Sequence, residues 1–350
     1  MNPQANPSPA ARFPLQRLAA AAALACGVLL TACGGGGGDT APGSTATPLS
    51  QPDATADASN STATGSDTAS AMDSVVDTTT TMAMSMAAPA DASSDRAHAL
   101  SASPSVASGV TNVTVNCGGG GTATVSITGG TAASELNGVL DAGEHYSVTY
   151  AQCTGQAGYA QLNGSVEMDV VSADHTTSPA TVAVNLTVAN LSLSLPNGSA
   201  TLNGTAAISR SVVTANGTTT TTSHVTVPSA TLTTAFNARS GSFTLSDLDA
   251  TRTLTSVAGV ATASQYAGHH TLSGTANGRT FSMNVATTGN VSYDATGALV
   301  SGAWTVVRPH ATISTTVANG TVIMTVDDGN DGTIDHTWTF TTAQLNAAAG

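Results

Sequence analysis

An all-β fold follows from three features of the sequence. From about Val110 onward apolar residues alternate with polar ones at period two, the mark of strands with one buried face. Seven Asn-Gly pairs punctuate the chain, beginning at Asn137, Asn163, Asn197, Asn203, Asn216, Asn277 and Asn319, and this pair is the strongest two-residue hairpin signal. No segment of ten or more residues carries an amphipathic helical pattern. The expectation is one antiparallel domain over 108–350, of about a dozen strands closed as a barrel or stacked as a sandwich, behind a disordered N-terminal tether.

The elements follow in order. Val113, Val115 and Cys117 alternate with polar residues, and so do Ala123, Val125 and Ile127 after the Gly118–Gly121 turn. No helix signal follows those glycines, so they do not form a phosphate cradle. Tyr146, Val148 and Tyr150 share a face, and strict alternation puts Cys153 on the other. Leu162, Gly164, Val166, Met168 and Val170 line one side of the next run, with Ser165, Glu167 and Asp169 on its reverse. Val182, Val184, Leu186 and Val188 then give way to Leu191, Leu193 and Leu195, and the change of phase predicts a bulge near Ala189-Asn190.

The best hairpins centre on Asn277-Gly278, joining runs 266–275 and 280–285, and on Asn319-Gly320, joining 311–317 and 321–326. Asn163 and Asn203 lie inside alternating runs, where the following Gly marks a kink. Leu162-Asn163-Gly164-Ser165 and Leu202-Asn203-Gly204-Thr205 are alike, and Leu272-Ser273-Gly274-Thr275 is a looser copy. Their irregular spacing speaks for recurring strand chemistry within one sheet system, not for a propeller or solenoid.

Leu30-Thr31-Ala32-Cys33 closes an apolar run, Leu18 to Leu30, that follows a basic stretch with Arg12 and Arg17. The run is too short to span a bilayer but suits a signal peptide. The four residues resemble the lipobox of bacterial lipoproteins. That resemblance implies a signal peptide over 1–32, cleavage before Cys33, a diacylglycerol thioether on its sulfur and a fatty acyl group such as palmitate on the new N-terminus. Several chains on one residue anchor stably. Gly34 after the cysteine implies export to the outer membrane of the cell envelope. Cys26 fits the pattern less well, since Ala23 stands where Leu belongs.

Residues 33–107 then form the expected tether. Between Gly34 and Val106 there is no aromatic residue, while eight Asp stand among Ala, Ser, Thr and Pro. Such a composition buries too little apolar surface to offset ordering entropy. Within it Met82, Met84 and Met86 place three thioethers at alternate positions; they are either low complexity, a short strand, or a soft Cu(I) site.

The composition excludes several function classes. Lysine is absent, and cleavage leaves six of eight Arg against 21 acids, a net charge of −15. No nucleic-acid surface can be built from so few cations, and contact with the membrane would rest on the lipid at Cys33. Neither a Walker lysine nor a Schiff-base lysine exists. Cys117 and Cys153 remain in an oxidising compartment and are expected to pair, a thiolate metal site being the alternative.

Asp327-Asp328-Gly329-Asn330-Asp331-Gly332-Thr333-Ile334-Asp335 resembles the calcium loops of EF-hand and dockerin type. Asp327, Asp331, Gly332 and Asp335 match loop positions one, five, six and nine, which implies a Ca2+ cofactor held by Asp327, Asp331 and Asp335. Gly329 takes position three and Trp338 takes position twelve, where the bidentate Glu belongs. The flanks, 322–326 and 336–340, read as strands, so a tight acidic hairpin is the competing reading.

No Gly-x-Ser-x-Gly elbow or His-Glu-x-x-His occurs. His269 and His270, adjacent on a strand, face opposite sides. The leading expectation is therefore a non-catalytic, lipid-anchored envelope protein with a structural, adhesive or interaction domain that contacts a protein or an envelope polymer. One alternative is a barrel carrier for a lipid or other small apolar ligand, with Gly164, Ala206 and Gly274 leaving room inside. Another is a hydrolase whose site is dispersed over strands. A transmembrane barrel would need aromatic girdles, and the sequence holds only two Trp, five Tyr and five Phe.

Overall fold

The computed structural model describes residues 48–87, 105–107, 110–117, 119–130, 139–154, 161–195, 198–236, 239–276 and 279–348. Sixteen strands form one antiparallel sheet: β1 (Ser105–Ala107), β2 (Val110–Asn116), β3 (Gly120–Thr128), β4 (His145–Thr154), β5 (Gln161–Asp174), β6 (Ala180–Leu195), β7 (Gly198–Ala215), β8 (Thr218–Phe236), β9 (Arg239–Val257), β10 (Val260–Ala276), β11 (Arg279–Thr287), β12 (Val291–Asp294), β13 (Leu299–Arg308), β14 (Ala311–Ala318), β15 (Thr321–Asp328) and β16 (His336–Thr341). A helix, α1 (Gln51–Ala87), precedes them and a short one, α2 (Thr342–Ala348), follows.

Neighbours in sequence are neighbours in the sheet, except that β12 sits between β10 and β13 beside β11. The sheet is a single meander and not a sandwich. Its ends, β1 and β16, are not paired with each other among the described residues. The antiparallel class is as expected, with sixteen strands where about a dozen were read. Strands as short as β1 and β12, of three and four residues, carry too little alternation to count from sequence.

The alternation fixes which face is buried. On β5, Val166, Met168 and Val170 are buried while Glu167 and Asp169 are exposed. The β7–β8 and β14–β15 hairpins turn through Asn216-Gly217 and Asn319-Gly320, both residues of each pair having positive φ, as a type I′ turn requires. The Asn277-Gly278 pair lies outside the described residues, but Ala276 opposes Arg279 and leaves a two-residue connection.

Bulges bend the long strands, and the Leu-Asn-Gly motif explains two of them. In β4 the register slips after Tyr150, at Gln152 with φ 51°. In β6 it slips after Val188, at Asn190 with φ 50°, where the change of apolar phase had placed it. Asn163 Oδ1 accepts the Gln152 amide at 2.7 Å, and Asn203 Oδ1 accepts the Asn190 amide at 2.7 Å. Each Asn thus satisfies the amide that a bulge removes from the ladder. The β4 bulge corrects one sequence expectation. It shifts the phase so that Cys153 is buried with Tyr146, Val148 and Tyr150, and not on the opposite face.

The tether expectation is corrected over residues 51–87, which form α1. At its start Ser50 Oγ accepts the Asp53 amide at 3.4 Å and donates to Asp53 Oδ2, an N-cap, with Pro52 in the first turn. Ala54, Ala58, Asn60, Ser61, Thr62, Thr64, Ala69, Met72, Asp73 and Val76 are all buried, over most of the helix circumference, while Ala56, Ser59, Ala63, Ser66 and Ser70 form a half-buried stripe. The buried side carries Asn60, Ser61, Thr62, Thr64 and Asp73 as well as Ala, so it does not differ in polarity from the half-buried side and periodicity cannot reveal the helix. Buried hydroxyls are satisfied locally: Thr55 Oγ1 donates to the Gln51 carbonyl at 2.7 Å and Thr64 Oγ1 to the Asn60 carbonyl at 2.8 Å. At about 1.5 Å per residue, α1 is roughly 55 Å long.

Candidate functional site: the helix seat inside the sheet

The curled sheet holds α1 along a path that crosses strand after strand. Near the start, Arg308 Nη1 on β13 donates to Asp57 Oδ2 at 2.6 Å, and the Trp304 indole N–H donates to the Ala58 carbonyl at 3.0 Å. Next, His270 on β10 lies 3.1 Å from the Ser61 carbonyl through Nε2. Gly65 follows, pressed on Tyr266 and His270 so closely that an added Cβ would lie 2.5 Å from the Tyr266 hydroxyl. Only glycine lets the helix backbone approach there. Ser66 is hydrogen-bonded to Tyr293 of β12.

The tightest grip comes last. Asp73 Oδ1 accepts Arg210 Nε at 3.1 Å, Arg210 Nη2 at 2.7 Å and Ser223 Oγ at 2.8 Å; Asp73 Oδ2 accepts Arg252 Nη1 at 3.2 Å. Arg210 Nη2 also donates to the Asp73 carbonyl at 3.2 Å. Three strands, β7 to β9, therefore converge on one carboxylate. Arginine suits this task because its fork can hold two acceptors at once. Three of the eight arginines in the chain are spent on α1.

Burial sets the charge states. It pushes Asp57 up to about 6 against the opposing pull of Arg308, with Asp53 adding to the rise. It pushes Asp67 up to about 6 against Arg252. It pushes His270 down to about 4, against the hydrogen bond to Ser61, with His269 adding to the fall. An acid whose pKa is raised by folding contributes most at low pH, and that contribution fades as pH rises through 6. His270 acts in the opposite sense: its stability is present above the ordinary histidine value and is lost as pH falls toward 4. His270→Gln removes that opposing arm, so its thermal midpoint should rise between about pH 7 and about pH 5 while the wild type changes less. A flat or falling midpoint in the variant would contradict the burial of Asp57 and Asp67.

Other residues singled out from sequence fall elsewhere. Cys117 and Cys153 form a disulfide, their Cα atoms 5.3 Å apart. Cys33, with the whole lipobox, lies outside the described residues. Met82, Met84 and Met86 are on the backbone of a helix, where alternate residues do not share a face; their side chains lie outside the described residues. The acidic segment 327–335 joins β15 and β16 with no flanking helix. Asp327 accepts the amides of Asp331 at 3.1 Å and Gly332 at 2.9 Å, Asp331 accepts that of Thr333 at 2.8 Å, and Asp335 accepts that of Asp328 at 2.8 Å. These carboxylates cap a hairpin turn, and no group of three His, Cys, Asp or Glu among the described residues is placed to hold a metal ion.

His269 and His270 face opposite sides, exposed and buried, as their adjacency requires. His145 pairs with Asp169 at 2.7 Å and His224 with Asp249 at 2.8 Å, both on the outer face. Exposed pairs of this kind contribute about 0.2–1 kcal/mol. The small residues expected to leave room for a ligand serve instead for close strand contact. A Cβ on Gly164 would lie 2.2 Å from the Asn190 carbonyl oxygen, and one on Gly274 would lie 2.2 Å from that of Ser242.

Comparison of the chain with protein-family models, with curated proteins and with solved structures returned no match.

Proposed function

We propose that this chain is a lipoprotein of the bacterial cell envelope, anchored through lipid on Cys33, whose β domain is a non-catalytic structural or interaction module. The observation that favours the structural or interaction reading over a carrier is the occupied interior. The place where a β carrier would hold a ligand is filled by α1, with hydrogen bonds and ion pairs specific to it. The outward faces of the strands are polar, as at Glu167 and Asp169, so they suit water and not acyl chains. No helix among the described residues is long and apolar enough to cross a membrane.

Cys33→Ala tests the anchor. In cells fed an alkyne-tagged fatty acid, the wild-type chain should take up the label and sediment with membranes, and the variant should do neither. A variant that stays with the membrane without label would overturn the lipid anchor. Native mass spectrometry of the full mature chain tests the domain. A lipid-sized adduct would replace the structural reading with the carrier, and a calcium adduct lost on Asp331→Ala would make the acidic turn a site.

A further inference from the structure

We propose that α1 docks and undocks as a unit while the sheet stays folded, so that it acts as a releasable strap between the anchor and the β domain. Its bearing on the anchor rests on the lipoprotein reading; the undocking itself does not.

Three observations carry it. The first is the helix alone. α1 is built mainly from Ser, Thr, Asp and Ala, with Gly65 in its interior. All but Ala rank low in helix propensity, so the segment has little helical tendency outside its seat.

The second is how the interface is satisfied. Asn60 Oδ1 and Nδ2 and Thr62 Oγ1 on α1, and Tyr266 OH and His270 Nδ1 on the seat, are buried with no hydrogen-bond partner among the described residues. Each burdens the docked state and regains water on release. Beside them sit the strong pairs at Asp57 and Asp73. The docked state is thus a balance of strong and unmet interactions, all on one surface.

The third is the seat itself. Where α1 lies, the inward positions of β7 to β10 include Arg210, Ser223, Arg252 and His270, which can be solvated once the helix leaves. α1 packs on the C-terminal helix α2 and on β7–β10, β13 and β14, where its Ala54, Ala58, Ala69, Met72 and Val76 join the apolar core. Val125, Ile127, Tyr146, Val148, Met168 and Leu186 lie on β3–β6, outside that contact. Release bares part of the core but need not unravel the strands, which are paired with one another and not with α1.

The consequence is a change of reach. With α1 docked, the seated part of the chain begins at Leu49, 16 positions after Cys33; with α1 released it begins at Ser105, 72 positions after Cys33.

Native-state hydrogen exchange on the full mature chain, followed by mass spectrometry, tests this directly. Amides of residues 51–76 should exchange together, at least about 100-fold faster than those of β8 and β9, and with a weaker dependence on denaturant. Equal rates with equal denaturant dependence would overturn the proposal, because α1 would then open only with the whole molecule. Gly65→Ala supplies the second arm: the Cβ that meets Tyr266 and His270 should strip protection from 51–76 and leave β8 and β9 protected. Loss of both would also overturn it. Repeating the measurement on Cys33→Ala separates the two proposals, since losing the anchor leaves these exchange rates unchanged.

Discussion

Asp73→Ala should destabilise the docked state of α1 by about 3–5 kcal/mol, the range for removing one partner of a buried ionic cluster. The side chain of Asp73 is 4% exposed, and those of Arg210 and Arg252 are 11% and 17%. Truncating the carboxylate leaves two guanidinium groups facing each other in a poorly solvated seat and takes the acceptor from Ser223. The loss is therefore more than that of one favourable contact, because the partners cannot be rehydrated without moving the helix. Asp57→Ala should do less: it frees a single arginine, Arg308, whose side chain is 19% exposed, and it removes a carboxylate that burial already penalises. His145→Ala, which breaks an exposed pair, should be close to neutral. Denaturant titration combined with exchange at 51–76 reads all three. Unchanged protection of α1 in Asp73→Ala would show that the cluster does not hold the helix.

The sheet was legible in the sequence because a sheet with one wet face must alternate. The phase change at Ala189-Asn190 could be placed to the residue, since a bulge in such a strand switches which residues are apolar. At Cys153 the same device went unread: Ala151 and Gln152 separate the slipped residues, as two residues do in β6, but no apolar run follows to show the new phase. α1 was illegible for a different reason. Sequence patterns report contrast between faces, and this helix has none, because its buried and half-buried sides are both built from Ala, Ser, Thr and Asp. Its seat is also built from residues distant in sequence, such as Asp73 with Arg210, Ser223 and Arg252, and no local rule joins them. Signals did exist, in the N-cap at Ser50-Gln51-Pro52-Asp53 and in the absence of Pro over the next 34 residues. Against a composition typical of disorder they carried little weight, because intrinsic propensity is a weak prior beside tertiary burial. The five arginines of a cation-poor β region, three of which hold α1, were the better clue. Charges so rare in a chain are seldom left to solvent alone.

Cys117→Ser should lower stability by about 3–4 kcal/mol, the chain-entropy value for a loop whose ends are 36 residues apart. For a domain of this size that corresponds to a melting point lower by roughly 10 °C. The bond ties the turn between β2 and β3 to the end of β4, where the bulge at Gln152 brings Cys153 onto the buried face. Gly121 already packs against this bulge, its absent Cβ allowing an approach to the Gln152 carbonyl that no side chain would permit. The disulfide therefore ties strands β2–β4, whereas α1 packs on α2, β7–β10, β13 and β14. Its loss and the loss of the Asp73 cluster should consequently be separable. Cys117→Ser should speed exchange in β2–β4 while the difference between α1 and β8–β9 persists, and Asp73→Ala should do the reverse. Reduction of the wild-type chain by dithiothreitol should reproduce the Cys117→Ser melt. An unchanged melt after confirmed reduction would mean that this edge frays before the domain unfolds, so that the cross-link constrains a segment already open in the transition.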